Sequence, residues 1–273
     1  MARPIWYVNL LKKAFPNIKF IAKLTRIPFL GKIFDLAMFE GDDIIYLPQD
    51  KVIPINKEVQ READMVLPSQ ILEYFIEKAN YHWVMNFCIC RDSMQCKDYP
   101  INLGCMFLGE AVLGINPQLG RRVSKKEALE HLKRCREAGL VHMVGRNKLD
   151  ASWLGVKPGN KLLSICNCCP CCCLWRIAPV INPKIGQKIK KMPGVNVKVT
   201  EKCIGCGTCT RGICFVDAIK LVNKRAVISK ECRGCGRCVD VCPQEAIQLT
   251  IDDKLFKRIE SLVKRIESLV DVT

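Results

Sequence analysis

The sequence predicts an α+β chain: a mainly helical, cysteine-rich N-terminal domain, then a small domain built on two cysteine triplets, then a C-terminal helix. Three observations carry this expectation. Ser124-Lys-Lys-Glu127 is a capping box ahead of a good helix former, ALEHLKRCREA, and Gly139 stands where a helix-terminating glycine belongs. Two runs of cysteines at two-residue gaps lie between Cys203 and Cys242. The heptad KRIESLV occurs twice in succession, at 257–263 and 264–270.

Taken in order, residues 1–68 read as a basic, apolar segment and linker, and 69–180 as the cysteine-rich, metal-binding domain. Residues 195–252 are then the triplet domain and 253–273 the heptad helix. Ile18 to Leu36 mixes Lys19, Lys23, Arg26 and Lys32 with aliphatics, Phe20, Phe29 and Phe34, interrupted by Pro28 and Gly31. It lacks the roughly 18 uncharged residues of a membrane span, so it is read as lying on a membrane surface, in a partner's groove or on its own domain. Pro48, Pro54 and Pro68 fall among short β-branched runs over 41–68, the pattern of a linker with brief extended pieces. Ser69 opens a predicted helix to about Ala79, and the Pro- and Lys-rich stretch after Cys173 holds a domain boundary. In the heptads, Ile259 and Ile266 occupy a, with Leu255, Leu262 and Leu269 at d. So short a seam either docks on its own domain or pairs in a homodimer.

Nineteen cysteines in 273 residues need an explanation. Met1 to Leu10 has no continuous apolar core and no small-residue cleavage site, which points to a reducing cytoplasm. There, thiols bunched at two- and three-residue intervals are metal ligands rather than bridges. The net charge of +16 suggests an acidic protein partner or an anionic membrane surface. Two tetrathiolate clusters would lower it to about +12, because their ligands bind deprotonated. The basic stretches do not interleave aromatics, which argues against nucleic acid.

The strongest motif is Cys203-x2-Cys206-x2-Cys209-x4-Cys214 with Cys232-x2-Cys235-x2-Cys238-x3-Cys242-Pro243. Three thiolates at two-residue gaps wrap one corner of a cubane, and the interspersed Gly205, Gly207, Gly234 and Gly236 allow close approach. The fourth thiolate comes from the other run. This assigns Cys203, Cys206, Cys209 and Cys242 to one cluster, and Cys214, Cys232, Cys235 and Cys238 to the second. The region resembles the bacterial two-cluster ferredoxin module, and both halves continue into an Ala-Ile pair, Ala218-Ile219 and Ala246-Ile247. The resemblance implies two 4Fe–4S clusters and single-electron transfer. The first run departs from the pattern in its four-residue gap and in Phe215 where proline is usual. Structural zinc sites also use Cys-x2-Cys pairs, but triplets plus singles suit cubanes better.

The other eleven cysteines lie upstream. Cys88, Cys90, Cys96 and Cys105 form one group, and Cys166, Cys168, Cys169, Cys171, Cys172 and Cys173 another, with Cys135 between them. Thiolates so crowded repel one another unless a metal neutralises them. A third iron–sulfur centre is therefore expected from members of both groups. Cys88, Cys90, Arg91, Cys96, Pro100, Gly104, Cys105 and the run Cys166-Asn167-Cys168-Cys169-x-Cys171-Cys172-Cys173 resemble a group of uncharacterised 4Fe–4S proteins of strictly anaerobic archaea and bacteria. That likeness implies a shared metal-binding domain and an anaerobic setting, with no reaction attached. Arg91 is a candidate donor to a cluster sulfur or substrate anion, or else a surface ion-pair partner. His131 and Cys135, four apart on the capped helix, could share a metal, whereas His142 on an apolar segment reads as a core residue.

Three functions are compatible with these residues. The first is an electron-transfer subunit of an oxidoreductase system, docking a redox partner that the basic surface suits if it is acidic. The second is a reductase whose upstream centre meets substrate. The third is a non-redox metal carrier, against which two cubanes argue. No dinucleotide, P-loop or nucleophile-elbow motif occurs, which favours electron transfer.

Overall fold

The computed structural model describes residues 2–52, 67–252 and 254–273; Pro54 and the rest of the expected linker at 53–66 lie outside the described residues. The chain begins with helices α1 (Ile5–Ala14), α2 (Ile18–Leu24) and α3 (Pro28–Phe34). It continues through β1 (Asp43–Tyr46), α4 (Pro68–Lys78), β2 (His82–Met85), α5 (Ile89–Ser93), β3 (Met106–Leu108), β4 (Gly120–Val123) and α6 (Lys125–Glu137). Then come β5 (Val141–Arg146), α7 (Lys148–Leu154), β6 (Leu163–Cys168), α8 (Pro183–Gly186) and β7 (Ile189–Lys191).

These strands form one mixed sheet of seven in the order β4-β2-β3-β6-β5-β1-β7, antiparallel except for β1 against β7. The cysteine-rich part is therefore built around a sheet, which the expectation of a mainly helical domain did not include. The reason is burial: β1, β2 and β3 are buried at every position, so the apolar-polar alternation that marks a half-exposed strand is missing. Residues 43–46, expected in a linker, lie between β5 and β7, and β7 itself comes from the expected domain boundary.

α6 begins and ends as predicted: Ser124 Oγ accepts from the Glu127 N–H at 3.3 Å, the Ser124 N–H donates to Glu127 Oε2 at 2.8 Å, and Gly139 adopts φ 71°. With α4 it covers one face of the sheet, burying Ile71, Leu72, Phe75, Ile76, Ala128 and Leu132 against Val144 and Ile165. The opposite face packs Trp83, Met85 and Phe107 beneath Val8 of α1 and Leu154 of α7.

The C-terminal module has β8 (Val195–Val199), β9 (Ile219–Val222), β10 (Arg225–Ile228), α9 (Arg237–Asp240) and β11 (Ile247–Ile251), with β8 paired to β11 and β9 to β10. The tight β9–β10 turn places Asn223 and Lys224 at positive φ. Finally α10 (Leu255–Glu267) lays Ile259, Leu262, Val263 and Ile266 into the α4/α6 core, with Leu269 packed beside them. The side chain of Leu255 lies outside the described residues. Of the two destinations open to the heptads, the apolar seam takes the intramolecular one, and Arg265 pairs with Asp43 of β1.

Candidate metal centres

In the C-terminal module, the local folds bring each expected ligand set together. Cys203, Cys206, Cys209 and Cys242 line one pocket with Gly205 and Pro243, while Cys214, Cys232, Cys235 and Cys238 line another with Phe215 and Arg237. A side chain at Gly205 is excluded: φ is 73°, and an added Cβ would lie 2.1 Å from the Lys224 carbonyl oxygen. Backbone N–H groups point at the sulfurs. Ala226 donates to Cys203 at 3.4 Å, Ala246 to Cys242 at 3.3 Å, Ala218 to Cys214 at 3.2 Å and Gly234 to Cys232 at 3.4 Å. Ala218 and Ala246 each follow their cysteine by four residues, so the longer gap of the first run is absorbed before Cys214. Burial pushes the Cys235 thiol up to about 11, the expected state of a thiol that awaits a metal to share its charge. Four converging sulfurs with N–H donors fit an iron–sulfur cluster in each pocket.

The upstream cysteines separate into two sets that interleave along the chain. Cys88, Cys90, Cys105, Cys166, Cys168 and Cys173 line a cavity of about 430 Å³ together with Arg91, Asp150 and Trp175, and Cys169, which also belongs to the second set, borders it. Cys166 and Cys168, two apart on β6, share a face; Cys88 caps α5, Cys90 lies in its first turn, and Cys105 immediately precedes β3. Hydrogen bonds link Cys90 to Cys88, Cys88 to Cys105 and Cys105 to Cys166, and a further one joins Cys168 to Cys173. The bonds from Cys105 and Cys90, with the Arg91 charge nearby, hold the Cys88 thiol well below its ordinary range. Backbone N–H groups of Leu174 and Trp175 add donors to Cys90 and Cys173. Six thiols, N–H donors and a buried cation fit an iron–sulfur centre.

The second set is Cys96, Cys169, Cys171 and Cys172, whose Sγ atoms all lie within 4.8 Å of one another.

Arg91 stands between the sets. It is wholly buried, not a surface ion-pair residue. Nε donates to Pro100 O at 2.9 Å, Nη1 to Asn167 O at 2.8 Å, and Nη2 to Leu103 O. Burial alone would lower its pKa, but the thiols of Cys88, Cys169, Cys105 and Cys168 around it raise it. Gly104, next to Cys105, packs so tightly that a Cβ would come within 2.6 Å of Phe87 O, and its carbonyl accepts from Asn167 Nδ2 at 2.8 Å. His131 Nε2 is 3.0 Å from the same carbonyl and 3.6 Å from Cys135 Sγ. That nitrogen is occupied as a donor, so His131 and Cys135 do not form the shared metal site considered from their spacing. Burial pushes the Cys135 thiol to about 12, and His142, also buried, drops to about 4 with Nδ1 2.8 Å from Asn167 Oδ1.

Two residues missed by sequence reasoning join the module to the cavity. Tyr46, from β1, stacks on Phe215 with centroids 4.3 Å apart, and its hydroxyl is 3.6 Å from Cys173 Sγ. Arg237, beside Cys238, donates to Gly139 O at 3.2 Å and to Cys168 O. The only signal was Phe215 itself, an aromatic in place of the usual proline.

A family model, the LdpA Fe–S cluster-binding domain, matches residues 211–252, the segment from Cys214 through Cys242. One component of an ion-translocating oxidoreductase complex from Methanosarcina acetivorans is 46% identical over 48 residues, 17% of this chain and 18% of that protein. The chain thus spans about a fifth of the length of the curated relative it matches. No solved structure matches. Clustered sulfurs and these two likenesses together make the chain an iron–sulfur protein with a redox role.

Proposed function

We propose that the chain is an electron-transfer subunit. It carries two 4Fe–4S clusters, on Cys203, Cys206, Cys209 and Cys242 and on Cys214, Cys232, Cys235 and Cys238, and a third iron–sulfur centre among the six cysteines of the cavity. Single electrons pass between them to or from a partner oxidoreductase. The observation that carries this reading is the Tyr46–Phe215 stack, which runs from the wall of the second four-cysteine pocket to Cys173 in the cavity. The relative's place in an oxidoreductase complex supports a protein partner.

The test is iron and acid-labile sulfide per chain after anaerobic purification, with EPR of the reduced protein. About twelve iron atoms are expected; about eight would confine the clusters to the C-terminal module. Tyr46→Leu and Phe215→Leu should leave the iron count unchanged and slow electron exchange between the module and the cavity centre, read by freeze-quench EPR. Unchanged exchange would remove the proposed route.

A second reading, a reductase acting on substrate at the cavity, draws on its apolar wall of Tyr7, Leu11, Phe15, Leu149 and Trp153 beyond the cysteines. Reoxidation of the reduced protein by small apolar acceptors, without a second protein, would favour it.

Among the described residues no helix is long and apolar enough to cross a membrane. On α1–α3 and the turn that follows, however, Trp6, Phe20, Phe29 and Leu36 are more than half exposed, interspersed with exposed Lys13, Lys19, Lys23 and Lys32. Apolar rings among cations suit an anionic lipid surface, on which we place this subunit. Phe20→Ser with Phe29→Ser should abolish co-sedimentation with anionic vesicles; retained binding would sink the assignment.

A further inference from the structure

We propose that Cys96, Cys169, Cys171 and Cys172 hold a single zinc ion, distinct from every iron–sulfur centre of the chain. The argument is one of size. Cys96 and Cys171 are 3.6 Å apart through their sulfurs, Cys171 and Cys172 likewise, and all four sulfurs lie within 4.8 Å. Four thiolates bound tetrahedrally at about 2.3 Å from one ion stand about 3.8 Å apart. The thiolates of a cubane stand wider, because four irons and four sulfides separate them. An all-sulfur tetrahedral set selects zinc or an iron–sulfur cluster, and the separation removes the cluster.

The surroundings are those of a closed structural site. The Cys172 N–H donates to Cys169 Sγ at 3.3 Å, and the N–H groups of Asp98 and Tyr99 donate to Cys96 Sγ. Such donors fix ligand orientation and spread thiolate charge. Leu103 and Leu140 pack behind Cys169 and Cys172, and Arg91 brings a buried positive charge near Cys169. Four protein sulfurs leave no open coordination position, so the ion supports the fold and is not a reaction centre.

The site also has a structural task. Cys96 lies between Cys88-Cys90 and Cys105, and Cys169–Cys172 lie between Cys168 and Cys173. One ion therefore clamps together the two segments that supply the cysteines of the neighbouring cavity, which its own ligand Cys169 borders. Without it, those segments are joined by Arg91 donating to the Asn167 carbonyl and by Asn167 Nδ2 donating to the Gly104 carbonyl.

The test is elemental analysis with zinc-edge X-ray absorption on the whole protein purified without oxygen. We expect about one zinc per chain in a shell of four sulfurs at about 2.3 Å with no iron neighbour, and no displacement on reconstitution with iron and sulfide. Cys171→Ser should cut zinc at least about tenfold, as loss of one of four ligands does, while the module's iron is kept. Zinc far below one per chain, a shell with nitrogen or iron, a mononuclear iron signal lost in Cys96→Ser, or full zinc retention in both variants would overturn the assignment. Should Cys171→Ser fail to fold, the absorption spectrum of the unaltered protein decides.

Discussion

At the scale of single residues, two buried charges set distinct expectations. Arg91 satisfies three backbone carbonyls in the buried interior between the two cysteine sets. Arg91→Met strands all three, each costing about 1–3 kcal/mol. Anaerobic denaturant unfolding should therefore show a loss of about 3 kcal/mol or more, and an unaffected midpoint would refute this account. Asp42 is 7% exposed, with Oδ1 accepting the Lys148 N–H at 2.6 Å and Oδ2 lacking a partner among the described groups. Burial, more than the nearby Asp150, raises its carboxyl to about 7. A folded pKa above the unfolded value means stability that is full below about pH 4 and lost as pH rises through about 7. Asp42→Asn keeps the acceptor and removes the charge, so it should stabilise the protein at pH 8, by at most about 4 kcal/mol, and not at pH 4. The sequence held little of this: Arg91 stood out through its neighbours, but its burial depends on Pro100, Leu103 and Asn167, up to 76 residues away. The His131–Cys135 pair shows the converse, since four-residue spacing reveals a shared helix face but not the Gly104 carbonyl that claims it.

Among elements, α6 was fully legible because its determinants are local: a capping box, a helical run and a terminal glycine. The strands were not, because both faces of β1, β2 and β3 are buried and their short apolar runs carry no period. The heptads gave the periodicity of α10 but not its destination. Ile266 is 2% exposed within the core, so Ile266→Ala should cost about 2–5 kcal/mol by thermal or denaturant unfolding, without changing the elution volume. Removing residues 254–273 should expose Phe75 and Ile76 and produce aggregation or unfolding; a well-folded truncated chain of half the original mass in solution would instead reveal a heptad-mediated dimer.

For the molecule as a whole, the four cysteines around each pocket of the C-terminal module are those that spacing groups, because each triplet is contiguous and the fourth cysteine comes from its twin. Upstream the spacing did not tell the members apart. Cys166, Cys168 and Cys173 line the cavity, Cys171 and Cys172 turn to Cys96, and Cys169 borders both, so neighbours in sequence face different groups. Cys206→Ser and Cys235→Ser should each remove about four iron atoms and lower the module's stability, since cluster binding and folding are coupled. Unchanged iron in both would reject the ligand assignment.

The docking of α10 against α4 sets an order of events during synthesis. Tyr74 donates to Glu267 at 2.7 Å across 193 residues of chain, so the side of α4 that meets α10 stays uncovered until that much more chain has been made. Contacts of that separation close late and slowly. The apolar side of α4, with Phe75 and Ile76, must therefore be shielded from aggregation while α10 is still being made.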